Sequence, residues 1–294
     1  MSPARAEERA LPDPPARRET STYTRGQRIE MVAMDIDGTL LRRDKVISRA
    51  VLNTIRDCRD HGTRMLLASA RPPRATKTLY ELLELDTLQI NYNGALIHCA
   101  VRNKHVYHQP VKAQLVQNIC RLARRVDPNV VISIEILDKW YTDHIDDTLP
   151  TETSKLCTPD FIGPLDAFTH VPATKLMLLA PPDRLAPVEQ AVRQKYEKTC
   201  RIVSADPHLI QISHRDAGKG VALRRVATDH YGVDMARTMA IGDAPNDVGM
   251  IRAAALGVAM GNAWSQVKDA ADVIAPTNEN DGVAWALRQF VLDA

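Results

Sequence analysis

The chain has 294 residues, enough for one large or two ordinary domains, and its 45% hydrophobic and 25% charged content is that of a soluble globular protein. Six arginines and four acids fall within residues 1–28, so that segment carries the whole formal charge of +2 and the rest of the chain is neutral. A neutral body argues against nucleic acid as the main partner, because phosphate-backbone binding needs clustered positive charge. The five cysteines (Cys58, Cys99, Cys120, Cys157 and Cys200) are odd in number and form no CxxC unit, which predicts reduced thiols and a cytoplasmic location. No apolar run reaches transmembrane length, so no membrane partner is expected, and the N-terminus lacks the apolar stretch of a signal peptide. Oligomeric state has no signature here.

Residues 1–28 are rich in Arg, Pro, Glu and Thr and poor in apolar side chains, which predicts a disordered tail. Residues 30–35 read as a buried strand. Ser48 then reads as a helix N-cap, followed by Val51, Leu52, Ile55 and Cys58 at helical spacing, with Gly62 just past the end. A short apolar strand at 65–68 ends in Ser69-Ala70-Arg71, and Pro72 suits the first turn of the next helix. Residues 88–92 form a third strand ending at Asn93-Gly94. This β-α-β-α-β rhythm predicts a parallel sheet with helices on its faces.

After residue 95 the rhythm changes. A hairpin near 101–108, a helix over 111–126, β-rich runs at 130–137 and 140–142, a strand at 175–180, a helix over 184–196 and strands at 201–204 and 209–213 describe an inserted α+β module. The βα alternation then resumes with a helix from Lys219-Gly220 to about His230. A strand at 238–241 follows, ending in Gly242-Asp243-Ala244-Pro245-Asn246-Asp247. A helix at 248–255, a strand at 257–260, a helix starting at Gly261-Asn262-Ala263, a strand at 273–274 and a closing helix over 282–292 complete the chain. The overall expectation is an α/β protein: a Rossmann-like parallel sheet core flanked by helices (29–94 and 212–294), with an α+β domain inserted at 95–211.

Polar residues gather where the core strands end or helices begin: Asp35 and Asp37, Ser69, Asn93, Lys219, and Asp243, Asn246 and Asp247. Ligands in open α/β sheets bind at that edge. Carboxylates crowded together disfavour each other's charge, and a divalent metal is the simplest compensation. Carboxylates, a hydroxyl, an amide and a lysine together suit phosphoryl transfer with Mg²⁺, which takes a few carboxylate oxygens, water and a phosphate oxygen. Lysine and hydroxyl groups balance charge on the phosphoryl oxygens, and a carboxylate can attack phosphorus. The histidines carry less: His98, His105 and His108 read as strand-face residues, and Tyr141 to Asp147 as a solvated loop. His208 and His214 flank the return to the core.

Asp35-Ile36-Asp37-Gly38-Thr39 resembles the first motif of the haloacid dehalogenase-like hydrolase superfamily. Ser69-Ala70-Arg71, Lys219 and Gly242-Asp243-x-x-Asn246-Asp247 stand where its second, third and fourth motifs would be. Asn93-Gly94-Ala95 and Gly257 to Ala263 are similar to its Cof-type phosphatases. The 149 residues between Ser69 and Lys219 exceed what a βαβ crossover needs and place an insertion there, which in the family is a type II cap.

The resemblance implies a Mg²⁺-dependent phosphatase acting on a small phosphorylated metabolite, a sugar phosphate or phosphorylated cofactor, through a covalent aspartyl-phosphate. It implies Asp35 as nucleophile and metal ligand, and Asp37 as general acid and then base, with a raised pKa and a metal-binding backbone carbonyl. Ser69 and the amides near Ile36 and Ala70 would hold the phosphoryl group. Lys219 would stabilise charge on nucleophile and phosphoryl, and Asp243 would bind metal. Asn246 and Asp247 would orient phosphate, water or Lys219, with Thr39, Arg71 and Asn93 in support. Alanine at 70 departs from the family's usual glycine. A sugar phosphomutase, or a binding or regulatory protein on the same fold, are the rival readings.

Overall fold

The structure is a computed structural model that describes residues 23–24, 26–151 and 153–293. The expectation of a disordered tail over residues 1–28 falls mostly on residues 1–22 and 25, which lie outside the described residues. Tyr23, within that segment, is buried, and its ring meets that of Phe290 edge-on at 6.0 Å.

The core begins with β1 (Met31–Met34), α1 (Arg49–Asp60), β2 (Arg64–Leu67), α2 (Pro73–Leu82) and β3 (Leu88–Asn91). Ser48 caps α1 as its sequence predicts, its side chain accepting the Val51 amide at 3.1 Å. Pro72 takes the capping position of α2 and Pro73 its first turn. All four residues of β1 are buried because both faces are covered. Val32 and Met34 pack on the side of α1, while Met31 and Ala33 face the opposite layer. A strand buried on both faces reads as a continuous apolar run, not an alternating one.

Next come β4 (Leu96–Cys99) and β5 (Lys104–His108). The sequence reading assigned this hairpin to the inserted module. In the structure β4 pairs antiparallel with β3, and Ile97 joins the same apolar layer as Met31 and Ala33. The rhythm does change at residue 95, but the hairpin's partner is the core strand before it, and pairing partners do not follow from periodicity. A parallel bridge between Ala68 and Ile90 joins this small sheet to the end of β2.

The inserted body comprises α3 (Ala113–Val126), β6 (Val131–Ile136), β7 (Lys139–Thr142), β8 (Phe161–Ile162), α4 (Asp166–Thr169), β9 (Lys175–Leu179), α5 (Pro182–Tyr196), β10 (Cys200–Asp206) and β11 (Leu209–His214). Its strands form one sheet in the order β10-β11-β9-β6-β7-β8. Alternation along β6 sorts the faces. Ile132 and Ile134 pack with α3 and α5, whereas Val131 packs on the opposite face with Trp140, Leu149, Met177, Leu179 and Leu209.

The core then resumes with α6 (Lys219–Arg224), which continues as a π-helical stretch, Arg225–His230. β12 (Thr238–Gly242), α7 (Val248–Ala253), β13 (Leu256–Ala259), α8 (Ser265–Lys268), β14 (Val273–Ile274) and α9 (Gly282–Leu287) follow. The parallel sheet runs β14-β13-β12-β1-β2. The chain builds outward from β1 through β2 to β3, then returns to the other side of β1 at β12. Beyond the C-terminal ends of β1 and β12 the connections therefore diverge, and open α/β sheets bind ligands in such a crevice. Among the described residues no helix is long and apolar enough to cross a membrane.

One fully buried carboxylate joins the two bodies. Glu135, on β6, accepts from Arg74 Nη2 at 2.7 Å and from the Tyr92 hydroxyl at 2.6 Å, both on the core, and lies 3.3 Å from Lys175 Nζ of β9. Asp138 adds a second tie, accepting from the Arg74 backbone amide at 3.0 Å. Burial alone would push Glu135 up, but Lys175 and Arg74 outweigh it and hold the group below its ordinary range. Removing one member of a buried pair strands the other's charge. Glu135→Ala is therefore expected to cost about 3–5 kcal/mol of stability. A urea midpoint unchanged by the substitution would contradict this account of the joint.

Candidate active site

Asp35 follows β1 directly, and its amide continues the pairing by donating to Ile241 O of β12 at 3.0 Å. The residue is 6% exposed, and its carboxylate accepts from Lys219 Nζ at 2.5 Å. The same ammonium donates to Asp247 Oδ1 at 2.6 Å, so one buried lysine at the start of α6 spans two carboxylates. Asp247 Oδ2 is taken by the amides of Asp243 and Ala244 at 3.0 and 2.9 Å. Thr39 Oγ1 donates to Asp243 Oδ1 at 2.9 Å. Carboxylate oxygens of Asp35, Asp243 and Asp247 all lie within 4.8 Å of one another.

Two glycines make this crowding possible. A Cβ on Gly38, whose φ is +82°, would lie 2.3 Å from Asp243 Oδ2. One on Gly242 would lie 2.5 Å from the Asp247 Cβ. Close backbone approach and a positive φ are what glycine supplies.

The electrostatics follow from burial. Desolvation, then the nearby Asp247, pushes Asp35 up to about 8 against the pull of Lys219. Asp243 is pushed up to about 6, by burial first and by Asp247, with the Thr39 hydroxyl opposing. Burial alone would lower Lys219, but Asp247 and Asp35 outweigh it and hold the ammonium charged. Three carboxylates facing one ammonium leave excess negative charge in a low-dielectric pocket. An all-oxygen acidic donor set of this kind fits a hard divalent cation such as Mg²⁺. Both oxygens of Asp247 are already engaged, so Asp35 and Asp243 are the better side-chain donors.

Asp37 departs from its expectation. Its carboxylate lies outside the acidic cluster and forms a two-pronged pair with Arg71, from Nε to Oδ2 and from Nη2 to Oδ1, both at 2.7 Å. Lys45 Nζ adds a third contact at 2.9 Å. A raised pKa was expected for this group. Burial does push that way, but the Arg71 and Lys45 hydrogen bonds and charges outweigh it, and Asp37 is held below its ordinary value. Arg71 stood in the motif, but its pairing with Asp37 could not be read from spacing. Lys45, six residues past Thr39, carried no sequence signal.

The other expected residues lie along the same edge. Ser69 is buried after β2. Its hydroxyl accepts the Arg71 amide at 3.1 Å, and its carbonyl accepts the Asn93 amide at 2.9 Å. Asn93 Oδ1 in turn accepts from Asn246 Nδ2 at 2.8 Å. The Ile36 side chain is fully buried in the core, while its carbonyl accepts the amides of Leu40 and Leu41. Ala70 is absent from the non-glycine residues with positive φ, so alanine fits this turn without backbone strain. Asn262, noted only as part of a motif, donates to Gly38 O at 2.8 Å and steadies the loop that carries Asp37. Of the histidines, His214 contacts Gln109 where the chain passes between the two bodies, and His208 bonds to Pro150 O at 2.8 Å within the inserted body.

Hydrogen bonds that hold a metal ligand in place typically matter 10–100-fold for metal affinity. Thr39→Val is therefore expected to weaken Mg²⁺ binding by about that factor, measured by calorimetry. Equal affinity in the variant would show that Asp243 needs no such support.

Comparison with known proteins shows the family. A family profile described as haloacid dehalogenase-like hydrolase matches residues 32–287. A 5-amino-6-(5-phospho-D-ribitylamino)uracil phosphatase of Bacillus subtilis is 30% identical over 263 residues, 88% of this chain and 97% of that protein. An HMP-PP phosphatase of Yersinia enterocolitica is 28% identical over 266 residues, 89% of this chain and 95% of that protein. Among solved structures, a haloacid dehalogenase-like hydrolase from Bacteroides thetaiotaomicron superposes with a TM-score of 0.79 at 27% identity, covering 89% of this chain and 99% of that one.

Proposed function

The chain belongs to the haloacid dehalogenase-like hydrolase family, and we propose that it is a Mg²⁺-dependent phosphatase that hydrolyses a small phosphorylated metabolite through a covalent aspartyl-phosphate. The observation that carries this reading is the buried Lys219 spanning Asp35 and Asp247, with Asp243 beside them, at the crevice between β1 and β12. Relatives named for a phosphorylated ribitylaminouracil and for HMP-PP support a small phosphorylated substrate. Five free cysteines suit a cytoplasmic setting.

In this mechanism a carboxylate oxygen of Asp35 attacks phosphorus, and the bond to the leaving alcohol oxygen breaks. Lys219 opposes the rise that burial imposes on Asp35 and offsets negative charge on the phosphoryl group. Ser69 and the amides near Ile36 and Ala70 hold the phosphoryl oxygens, and Asn246, braced by Asn93, orients them. Asp35 and Asp243, with the backbone carbonyl of Asp37, would hold Mg²⁺, which would neutralise charge on the phosphoryl oxygens. Asp37 gives a proton to the departing alcohol. It then takes one from the water that hydrolyses the aspartyl-phosphate, returning Asp35 to its starting state.

The Arg71 clamp gives Asp37 a definite starting condition. Held ionised by Arg71 and Lys45, it is ready for the water step, while the acid step requires its release from Arg71 and a proton. Asp37 works as an acid only below its pKa, so activity limited by that step falls as pH rises through it. Arg71→Gln removes the strongest lowering influence and raises that pKa. The alkaline limb of kcat/KM should therefore move to higher pH. A limb that stays put or moves down would remove Asp37 from the acid role.

The nucleophile has a separate test. Asp35→Asn keeps the shape of the side chain but not its nucleophilic charge. Turnover over a panel of phosphate esters should fall by at least about 10⁴-fold, with the thermal unfolding transition retained. Beryllium fluoride trapping should be lost with it. Substantial residual turnover in a folded variant would rule out the covalent route.

A further inference from the structure

The sheet of the inserted body brings one end of its helix-free face to the core. Register across the strands defines that face. Arg201 pairs with Ser213, Gln211 with Met177, and Glu135 with Lys175, and paired residues lie on the same side of a sheet. Alternation along β9 and β11 puts all six on one face. Cys200 and Ile202, the neighbours of Arg201 in sequence, point the other way, into the layer with α3 and α5.

Two contacts fix where this face sits. At one end Glu135 accepts from the hydroxyl of Tyr92, the residue before Asn93. At the other, Arg201 Nη2 lies 3.7 Å from the point where a Cβ on Gly218 would stand, and Gly218 precedes Lys219. These two core segments also meet each other. A Cβ on Gly94 would fall 2.4 Å from Gly218 O, and Ala217 packs with Tyr92, Ala95 and Leu96. The Arg201 guanidinium therefore lies beside the stretch of core edge that carries Asn93 and Lys219, on the side of the inserted body.

The nearby cations are committed: Arg74 and Lys175 to Glu135, Arg184 to Asp127, and Arg193 to Glu189. Arg201 differs. Among the described residues its side chain makes no hydrogen bond or ion pair, and neither do those of Ser213 and Gln211 on the same face. Arg201 is also exposed, so an occupant of the crevice reaches it without breaking a buried bond. A guanidinium offers a planar fork of N–H donors and stays charged, which matches a carboxylate or a phosphate. The Ser213 hydroxyl, with its Cβ about 5 Å across the strand pair, supplies a further donor.

We propose that Arg201, with Ser213 beside it, is a specificity-determining residue that holds a second anionic group, carboxylate or phosphate, on the leaving-group portion of the substrate. The phosphoryl group meanwhile occupies the core edge at Asp35 and Lys219. This assignment rests on the phosphatase reading. The second anion does not react, so its capture strengthens binding of substrate and transition state alike and acts on KM.

The test measures phosphate release, with Mg²⁺ present, from two matched pairs of esters. One pair is sorbitol 6-phosphate and 6-phosphogluconate, and the other is fructose 1-phosphate and fructose 1,6-bisphosphate. The members of each pair differ only in the distal anion. The wild-type protein should show the higher kcat/KM for the anionic member of at least one pair, and the pair that responds identifies the anion as carboxylate or phosphate. Arg201→Gln should lower that anionic-to-neutral ratio by about 10–100-fold, as loss of hydrogen bonds to a charged group predicts, and chiefly through KM. Arg201→Lys, which keeps the charge but not the fork, should restore part of the ratio. No preference in either pair, or a folded Arg201→Gln variant with an unchanged ratio, overturns the assignment and leaves the phosphatase reading standing. The wild-type comparison needs no variant to fold. No release from any of these esters or from p-nitrophenyl phosphate overturns that reading and the assignment with it.

Discussion

A single ammonium group organises the carboxylate-bearing edge of the core. Lys219 Nζ is buried between Asp35 and Asp247, and each of these carboxylates is tolerable there because the lysine is. Without it, three acidic groups would share a pocket of low dielectric, where mutual repulsion is far stronger than in water. With it, negative charge still exceeds positive. That excess of negative charge gives the edge the character of a hard-cation site. The crowding is a consequence of topology, since β1 and β12 are neighbours and each delivers an acid from its C-terminal end.

A second buried charge centre lies at the joint between core and inserted body. Glu135 is surrounded by Arg74, Tyr92 and Lys175, drawn from both bodies. The two centres differ in balance. At the core edge carboxylates outnumber ammonium groups, whereas around Glu135 the basic side chains outnumber the carboxylate they face, with Asp138 restoring the count. The first arrangement invites a cation, and the second is self-satisfied and ties the bodies together.

The sequence was most legible where physical chemistry is local. The Ser48 cap, the double-proline start of α2 and the continuous apolar runs of β1 and β12 are near-neighbour signals, and those elements formed within a few residues of expectation. The acidic edge was legible for a different reason: its residues follow strands whose direction is common to a parallel sheet, so strand ends predict neighbours. What spacing could not supply was the partner of a flexible side chain. Arg71 and Lys45 reach Asp37 through rotamer choices, and their combined charge reverses the pKa shift expected for that group. Likewise, the β4–β5 hairpin was visible as a hairpin, but not as an extension of the core.

From the sequence alone came the α/β class, the place of the insertion and the set of acids, hydroxyl and lysine at the strand ends, because periodicity and strand direction depend on short-range steric rules. The tertiary structure decided which of those groups touch. It brought Lys219 across 184 positions to Asp35, turned Asp37 away from the acidic cluster onto Arg71, and folded the β7–β8 connection over Trp140. Those outcomes rest on long-range packing and on the need to pair buried charge, neither of which has a period in the sequence.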